Sequence, residues 1–352
     1  MKILKQTISR IEKVNTTLQS QTRTRLDNLT KPKGSLGRLE EIAQRVVNIT
    51  GKHDYMIRNK VIFTMAGDHG VADIGVSAFP KEVTEQMVYN FVRGGAGINV
   101  LARHAGAKVV VVDMGVACDL KRTEGVIIKK VAYGTANIAD GPAMSREQAV
   151  ESLENGIEAF EEQYNDEKID LVGTGEMGIA NTTPSSAIVS VLTGLSPDKA
   201  TGRGTGIDDK VLCRKTEAVK NALRVNSVDV SDGIDVLAKL GGFEIGGLAG
   251  VILAAAARKV PVVVDGFIST AAAMIAAVIE PDVKEYMFSA HSSAEPGHKV
   301  MLEKLGLDPL LDLKLRLGEG TGAALGMSLI EAAMKILNEM ATFDDAGVSN
   351  SM

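Results

Sequence analysis

The 352-residue chain has no tryptophan, only 4% aromatic residues and only two cysteines. Cys118 and Cys213 stand far apart, so no disulfide framework is expected, and a reducing cytoplasm suits this usage. The longest apolar runs, from Gly246 to Ala257 and from Gly266 to Ile279, are shorter than the ~20 residues that a bilayer crossing requires. The first twenty residues mix Lys, Arg and Glu with Ile and Leu and lack a signal-peptide core, so no leader is expected. The net charge is −5 and no basic run occurs, which argues against a nucleic-acid partner.

Several motifs are missing as well. No Gly-Lys-Ser/Thr closes a Walker A loop, and no Gly-x-Gly-x-x-Gly follows the first apolar run. There is no Gly-x-Ser-x-Gly elbow for a Ser/His/Asp hydrolase. The segment from His291 to His298 offers His291, Glu295 and His298 to a metal, but Pro296 and Gly297 break any helix and HExxH spacing is absent. No metal and no cofactor are therefore expected.

Glycine is plentiful, with 36 residues, and hydrophobic residues make up 45% of the chain. Short uninterrupted apolar runs occur at Lys60–Gly67, Lys108–Met114, Ile169–Val172, Lys259–Val264 and Lys284–His291, separated by stretches with helical spacing. Strands without polar alternation are covered on both faces, which predicts an α/β fold with a parallel sheet flanked by helices. Ligands then bind beyond the carboxyl ends of the strands, where Asp68, Asp113, Glu176, Asp265 and Ser289 would lie. Each alone is more often a cap or turn residue than a ligand contact; their recurrence is the signal.

Residues 1–56 read as helices, with one apolar stripe through Ile8, Ile11, Val14 and Leu18 and another from Leu36 to Val47. The Pro- and Gly-containing break at 29–39 reads as an interhelical loop or the lining of a site. The stretch from Val71 to Val92 mixes aromatic and sulfur side chains, as a cradle for a flat ring would. After Ala341 the tail is polar and expected to be mobile.

Two glycine-rich stretches suit phosphate. One, from Gly173 to Pro184, carries Gly175, Glu176, Gly178, Asn181, Thr182 and Thr183 and opens a helix; the other holds Gly202, Arg203 and Gly204. Near the C-terminus, Leu317-Gly318-Glu319-Gly320-Thr321-Gly322 puts one carboxylate among three glycines at the start of a long amphipathic helix. A local cap would explain a lone Gly-Glu-Gly. The surrounding motifs favour a general base instead.

Taken in order, LTKPKGSLGRLE (29–40), AGDHGVADIGVSAFPKEVTEQM (66–87), GTGEMGIANTTPSSAI (173–188), TGRGTGID (201–208), KLGGFEIGGLAGVILAAAA (239–257), VVVDGFISTAA (262–272), SAHSSAEPGH (289–298) and LGEGTGAAL (317–325) resemble one family. It is the nicotinate-nucleotide–dimethylbenzimidazole phosphoribosyltransferases, which make the α-ribazole phosphate of the cobalamin lower ligand. The resemblance implies a large Rossmann-like α/β domain around a parallel sheet over 58–310, a smaller helical domain from 1–57 and 311–352, and a homodimer. It implies Glu319 as catalytic base and a base pocket at Ser77, Gln86 and Leu317. Nucleotide contacts would fall at 175–183, 202–204 and Asp265–Gly266, with Ser289 and Gly320 beside them.

The implied substrates are nicotinate mononucleotide and dimethylbenzimidazole, with adenine or another azole left open. The departing pyridinium nitrogen leaves neutral, so a single carboxylate suffices where glycosidases use two. Glu319 would accept the proton of the attacking azole, and Glu176 and Asp265 would ease the oxocarbenium-like charge. Against this stand a nucleotide-binding regulatory protein without turnover and a nicotinamide-dependent oxidoreductase. The intact Glu319 loop weighs against the first, and the missing dinucleotide fingerprint against the second.

Overall fold

The computed structural model describes residues 1–120 and 123–349. Helices α1 (Lys2–Ile8), α2 (Gln19–Asn28) and α3 (Arg38–Thr50) precede β1 (Lys60–Gly67), α4 (Glu82–Val92), α5 (Gly97–Ala105), β2 (Ala107–Gly115) and β3 (Val126–Ile128). Next come α6 (Arg146–Asp166), β4 (Leu171–Met177), α7 (Thr182–Thr193), α8 (Pro197–Ala200), α9 (Asp209–Val225), α10 (Gly233–Leu240) and α11 (Phe243–Ala257). The order ends with β5 (Val262–Val264), α12 (Phe267–Ile279), β6 (Met287–His291), α13 (His298–Leu305), β7 (Pro309–Leu311), α14 (Thr321–Glu339) and α15 (Phe343–Ala346).

The strands form one seven-stranded sheet in the order β3-β2-β1-β4-β5-β6-β7, with every neighbouring pair parallel. Winding reverses between β1 and β4, the switch point at which such sheets open a crevice beyond their carboxyl ends. All eight residues of β1 are buried, as its unbroken apolar run requires. Helices α6, α11 and α12 pack together over β1, β2, β4 and β5, while α14, with α3 and α5 against it, packs on the same sheet to cover the other face. The apolar run within α11 is a core helix, buried from Phe243 to Ala256. Among the described residues no helix is long and apolar enough to cross a membrane.

Several sequence expectations change. Gly173-Thr174-Gly175-Glu176 is not a loop after a strand but β4 itself, paired residue for residue with Ile62, Phe63, Thr64 and Met65 of β1. The glycines are there because α14 lies on top of them. A Cβ on Gly175 would overlap the carbonyl of Glu319, and one on Gly173 would come within 2.9 Å of Met327 Cε. The stripe Ile8–Leu18 is not one helix, since α1 ends at Ile8. Tertiary hydrogen bonds hold the following segment instead: Tyr286 Oη donates to the Glu12 carbonyl (2.7 Å) and Val14 N–H donates to the Glu285 carboxylate (2.7 Å).

The break at 29–37 is an interhelical loop, anchored by buried Lys31, whose ammonium sits 2.7 Å from Glu40. The two short edge strands β3 and β7 had no clear apolar run. The boundary expected at 310/311 falls inside β7, and α14 is built onto the sheet. The polar tail is ordered through α15: Thr342 Oγ1 accepts the Asp345 N–H in a capping box, and Thr342 bridges to Leu29. Asn350, Ser351 and Met352 lie outside the described residues.

The tightest packing joins α6 to α11, where a Cβ on Gly156 would overlap the Gly247 carbonyl and one on Gly250 would overlap the Leu153 carbonyl. Gly156→Ala should therefore cost roughly 1–3 kcal/mol by overpacking, read as a lower denaturation midpoint. An unchanged midpoint would mean that the two helices separate freely.

Candidate active site

The loops after β1, β4, β5, β6 and β7 converge on a cleft of about 370 Å³. At its wall stands Glu319, 6% exposed and held in the left-handed region at φ 64° between Gly318 (φ 80°) and Gly320 (φ 97°). Such a backbone costs a non-glycine residue on the order of 1 kcal/mol and persists only where the surroundings enforce it. Thr64 Oγ1 does so by donating to the Glu319 carbonyl at 3.1 Å. One carboxylate oxygen, Oε2, accepts the Ile98 N–H at 3.1 Å in the first turn of α5. Burial raises the carboxyl's pKa above the ordinary range; the Ile98 amide opposes this and the nearby Asp265 charge adds to it.

The other carboxyls beneath the cleft are in different situations. Asp265, 1% exposed, accepts the Gly320 N–H (3.2 Å) and the Ala323 N–H (2.9 Å), so it caps α14 from the end of β5. It is the fixed partner of the helix rather than a wall of the cleft, and the N-terminus of α14 is thereby already occupied. Glu176, at the end of β4, does line the cleft, with Asn181 Nδ2 donating to it. Burial lifts Glu176 to about 8, against the Asn181 hydrogen bond and with Glu244, Asp265 and Glu319 all adding to the rise. It is protonated at neutral pH. Glu244 itself sits 2.7 Å from His69 Nε2, both wholly buried.

Of the expected nucleotide residues, Glu176, Gly178, Asn181, Thr182, Arg203, Gly204 and Gly266 line the cleft together with Glu319. Gly175, Thr183, Gly202, Asp265, Ser289 and Gly320 lie behind them rather than in the wall. Thr183 and Ser289 are buried within their elements. Arg203 does not present a free guanidinium: it is ion-paired with Asp209 and donates to the Ile207 carbonyl at 2.9 Å. Asp68 and Asp113 are also committed, to the Ala117 N–H (2.8 Å) and to Lys130 (2.9 Å) respectively.

For the expected base pocket, Ser77 and Leu317 line the cleft, while Gln86 is exposed on α4 and outside its wall. Val83 and Met87, one helical turn apart, present the inward side of α4 instead. With Val76, Phe79, Ile179 and Phe267 they make an apolar wall suited to a flat ring. Leu317 is 58% exposed at the cleft's rim.

Reading the sequence did not single out Lys215 or Arg316, both in the cleft wall, and considered Glu295 only as a metal ligand. Lys215 did leave a trace, standing at helical spacing on the stripe of Ala218, Val219 and Ala222. His298 is a core histidine: its Nε2 meets Thr270 Oγ1 at 2.9 Å and its Nδ1 accepts the Ser293 N–H at 2.9 Å. Burial pushes it down to about 3, so it is neutral. Among the described residues no group of three His, Cys, Asp or Glu could hold a metal ion. A larger cavity of about 520 Å³ beside α3 has Arg38 and Arg45 in its wall, but these donate to the backbone carbonyls of Asp308, Pro309 and Met287.

An acid on a strained turn, an apolar slot and one buried cation, Lys215, at the switch point of a parallel sheet are the parts a group-transfer enzyme needs. The match over residues 11–348 to a phosphoribosyltransferase family model sets the class. More particularly, the chain belongs to the nicotinate-nucleotide–dimethylbenzimidazole phosphoribosyltransferase family. It is 58% identical to the enzyme of that name from Geobacter sulfurreducens, covering 99% of each chain. It is 56% identical to the Desulforudis audaxviator enzyme, covering 100% of this chain and 99% of the relative. The crystal structure of the Thermus thermophilus enzyme superposes with a TM-score of 0.90 at 43% identity, over 96% of this chain and 100% of that one.

The raised Glu176 carries a stability consequence. Below about pH 4.5 the carboxyl is protonated in both folded and unfolded chains; between there and about 8 only the folded chain keeps the proton. The native residue therefore costs stability progressively as pH rises through that window. Glu176→Gln should be neutral near pH 4.5 and stabilising by up to a few kcal/mol near pH 8, followed by unfolding across pH. A gain independent of pH would place Glu176 in a less confined setting.

Proposed function

We propose that this chain transfers the 5-phosphoribosyl group of nicotinate mononucleotide to dimethylbenzimidazole, releasing nicotinate and forming α-ribazole 5′-phosphate with inversion at C1′. The observation that carries this is Glu319, presented on a left-handed turn at the wall of the cleft with Oε2 anchored on Ile98 N–H. An anchored carboxylate whose affinity for protons is raised is a better base near neutral pH than a free one. One azole nitrogen attacks C1′, and the proton on its other nitrogen passes to Glu319.

The leaving group needs no acid, because cleavage returns the electron pair of the C1′–N bond to a cationic pyridinium nitrogen. Of the two carboxyls expected to ease the oxocarbenium-like charge, Asp265 is bound to the amides of α14 and Glu176 holds its proton. We therefore assign the electrostatic contribution chiefly to Glu319 and the rest of the rate gain to orientation. By family resemblance the enzyme works as a cytoplasmic homodimer.

Purified protein given nicotinate mononucleotide and dimethylbenzimidazole should yield nicotinate and α-ribazole phosphate, identified by chromatography and mass. Turnover with adenine alone would keep the reaction class and change the base; no transfer to any azole would end the reading. The donor has no pyrophosphate to bind a divalent cation, so EDTA should leave the rate unchanged. Inhibition that added metal reverses would contradict this.

Glu319→Gln should lower kcat by roughly 10²–10⁴-fold while nucleotide binding stays within about twofold. Because the base must be ionised, kcat/KM of the native enzyme should fall as pH drops through a midpoint above 4.5. A midpoint at or below that value would remove Glu319 from the base role.

A further inference from the structure

Glu319 is anchored from outside its own helix. Its carboxylate accepts the Ile98 N–H, while Ala96, the N-cap of α5, has no side-chain oxygen to offer that helix start. Glu319 therefore does for α5 what a capping Asp or Ser would do, reaching across from the turn before α14. Gly97 lies directly on that turn: a Cβ there would come within 2.9 Å of Leu317 Cδ2 and 3.4 Å of Glu319 Oε2. Where α5 begins thus decides where the carboxylate points.

The start of α5 is tied in turn to α4. Asn99, the third residue of α5 and only 9% exposed, bonds in two directions. Its Oδ1 accepts the Ala96 N–H at 3.1 Å, and its Nδ2 donates to the Phe91 carbonyl, in the last turn of α4, at 3.0 Å. Both bonds are buried, so losing them strands polar groups away from water. The covalent link between the helices is a weak substitute, since it runs through Gly94, at φ 79°, and Gly95. Nearer its start, α4 is held by Thr84 Oγ1, which accepts the Ile179 N–H at 3.1 Å. The same helix presents Val83 and Met87 to the apolar slot.

We propose that Asn99 is a positioning residue: by locking α4 to the first turn of α5, it fixes the spacing between the wall on which the azole rests and the carboxylate that takes its proton. The inference rests on the transferase reading above. Asn99 is outside the cleft wall and acts through the Ile98 amide and through α4.

Besides the Ile98 N–H, the groups facing Glu319 are Asp265 from the end of β5 and Glu176 from the end of β4, the latter protonated. The amide favours the charged form of Glu319, whereas burial and Asp265 disfavour it. Loosening the start of α5 therefore raises the pH at which Glu319 ionises.

The test is steady-state kinetics across pH with native enzyme, Asn99→Ala and Asn99→Gln. In the Ala variant kcat with dimethylbenzimidazole should fall roughly 10–100-fold, as for a base misplaced by about an ångström, with KM for nicotinate mononucleotide within about twofold. The acid midpoint of kcat/KM should rise. Asn99→Gln, which keeps an amide on a chain one methylene longer, should recover part of both effects. A lower kcat with an unmoved midpoint, or unchanged kinetics, would overturn the inference. Should the Ala variant not fold, the Gln variant decides: kinetics and midpoint equal to native would overturn it.

If native enzyme ribosylates no azole, the reaction assignment falls, and hydrogen exchange at the Ile98 amide then reads the tether by itself. Faster exchange there in Asn99→Ala, with the β1 amides unchanged, keeps the tether; equal exchange ends it. Normal native transfer with unaltered variant kinetics removes the tether alone.

Discussion

The contact between the Asp265 carboxylate and the first amides of α14 joins the two halves of the site. It fixes the end of β5 to the start of α14. While those hydrogen bonds hold, the turn of Gly318, Glu319 and Gly320 is not free to shift, clamped between Asp265 below and Thr64 beside it. A side chain as short as aspartate reaches the amides only because the sheet brings β5 directly under α14, and β4 fits alongside only because it is glycine at 173 and 175. Sheet register, glycine placement and the position of Glu319 are one constraint seen from three sides.

That constraint gathers Glu176, Asp265 and Glu319 with little cation nearby, which is unfavourable. The molecule answers in three ways: Asp265 is bound by helix amides, Glu176 keeps its proton, and Glu319 is supported by a single amide. Only the last is left both ionisable and incompletely satisfied, as a base must be. The strained backbone at Glu319 has the same sense, since stability is given up where a reactive group is displayed.

Much of this was legible beforehand. Apolar runs located five of the seven strands, the parallel-sheet rule located the ligand end, and the Gly-Glu-Gly turn before a helical stripe drew attention to Glu319. What escaped depended on partners distant in sequence or on side-chain direction. Gly173 and Gly175 read as a loop because glycine is locally a breaker, whereas their strand state comes from pairing with β1 and from α14 above. Arg203 lines the cleft as expected, but its pairing with Asp209, six residues on, depends on side-chain direction. Lys215 was hidden on an amphipathic helix, and Gln86 could not be oriented until α4 had a direction.

The glycine-bearing strand beneath Glu319 divides the cleft into parts with unequal freedom to vary. Gly175 admits no side chain without moving the turn that displays the carboxylate, and Gly173 none without displacing side chains of α14 and β1, so the reactive floor is effectively incompressible. The opposite wall is built by α4 and the segment before it, where Phe79 is exposed and Val83 and Met87 are only partly covered. A lineage adapting to a different azole would have to remodel that wall, because the floor offers no substitution that leaves the base in place.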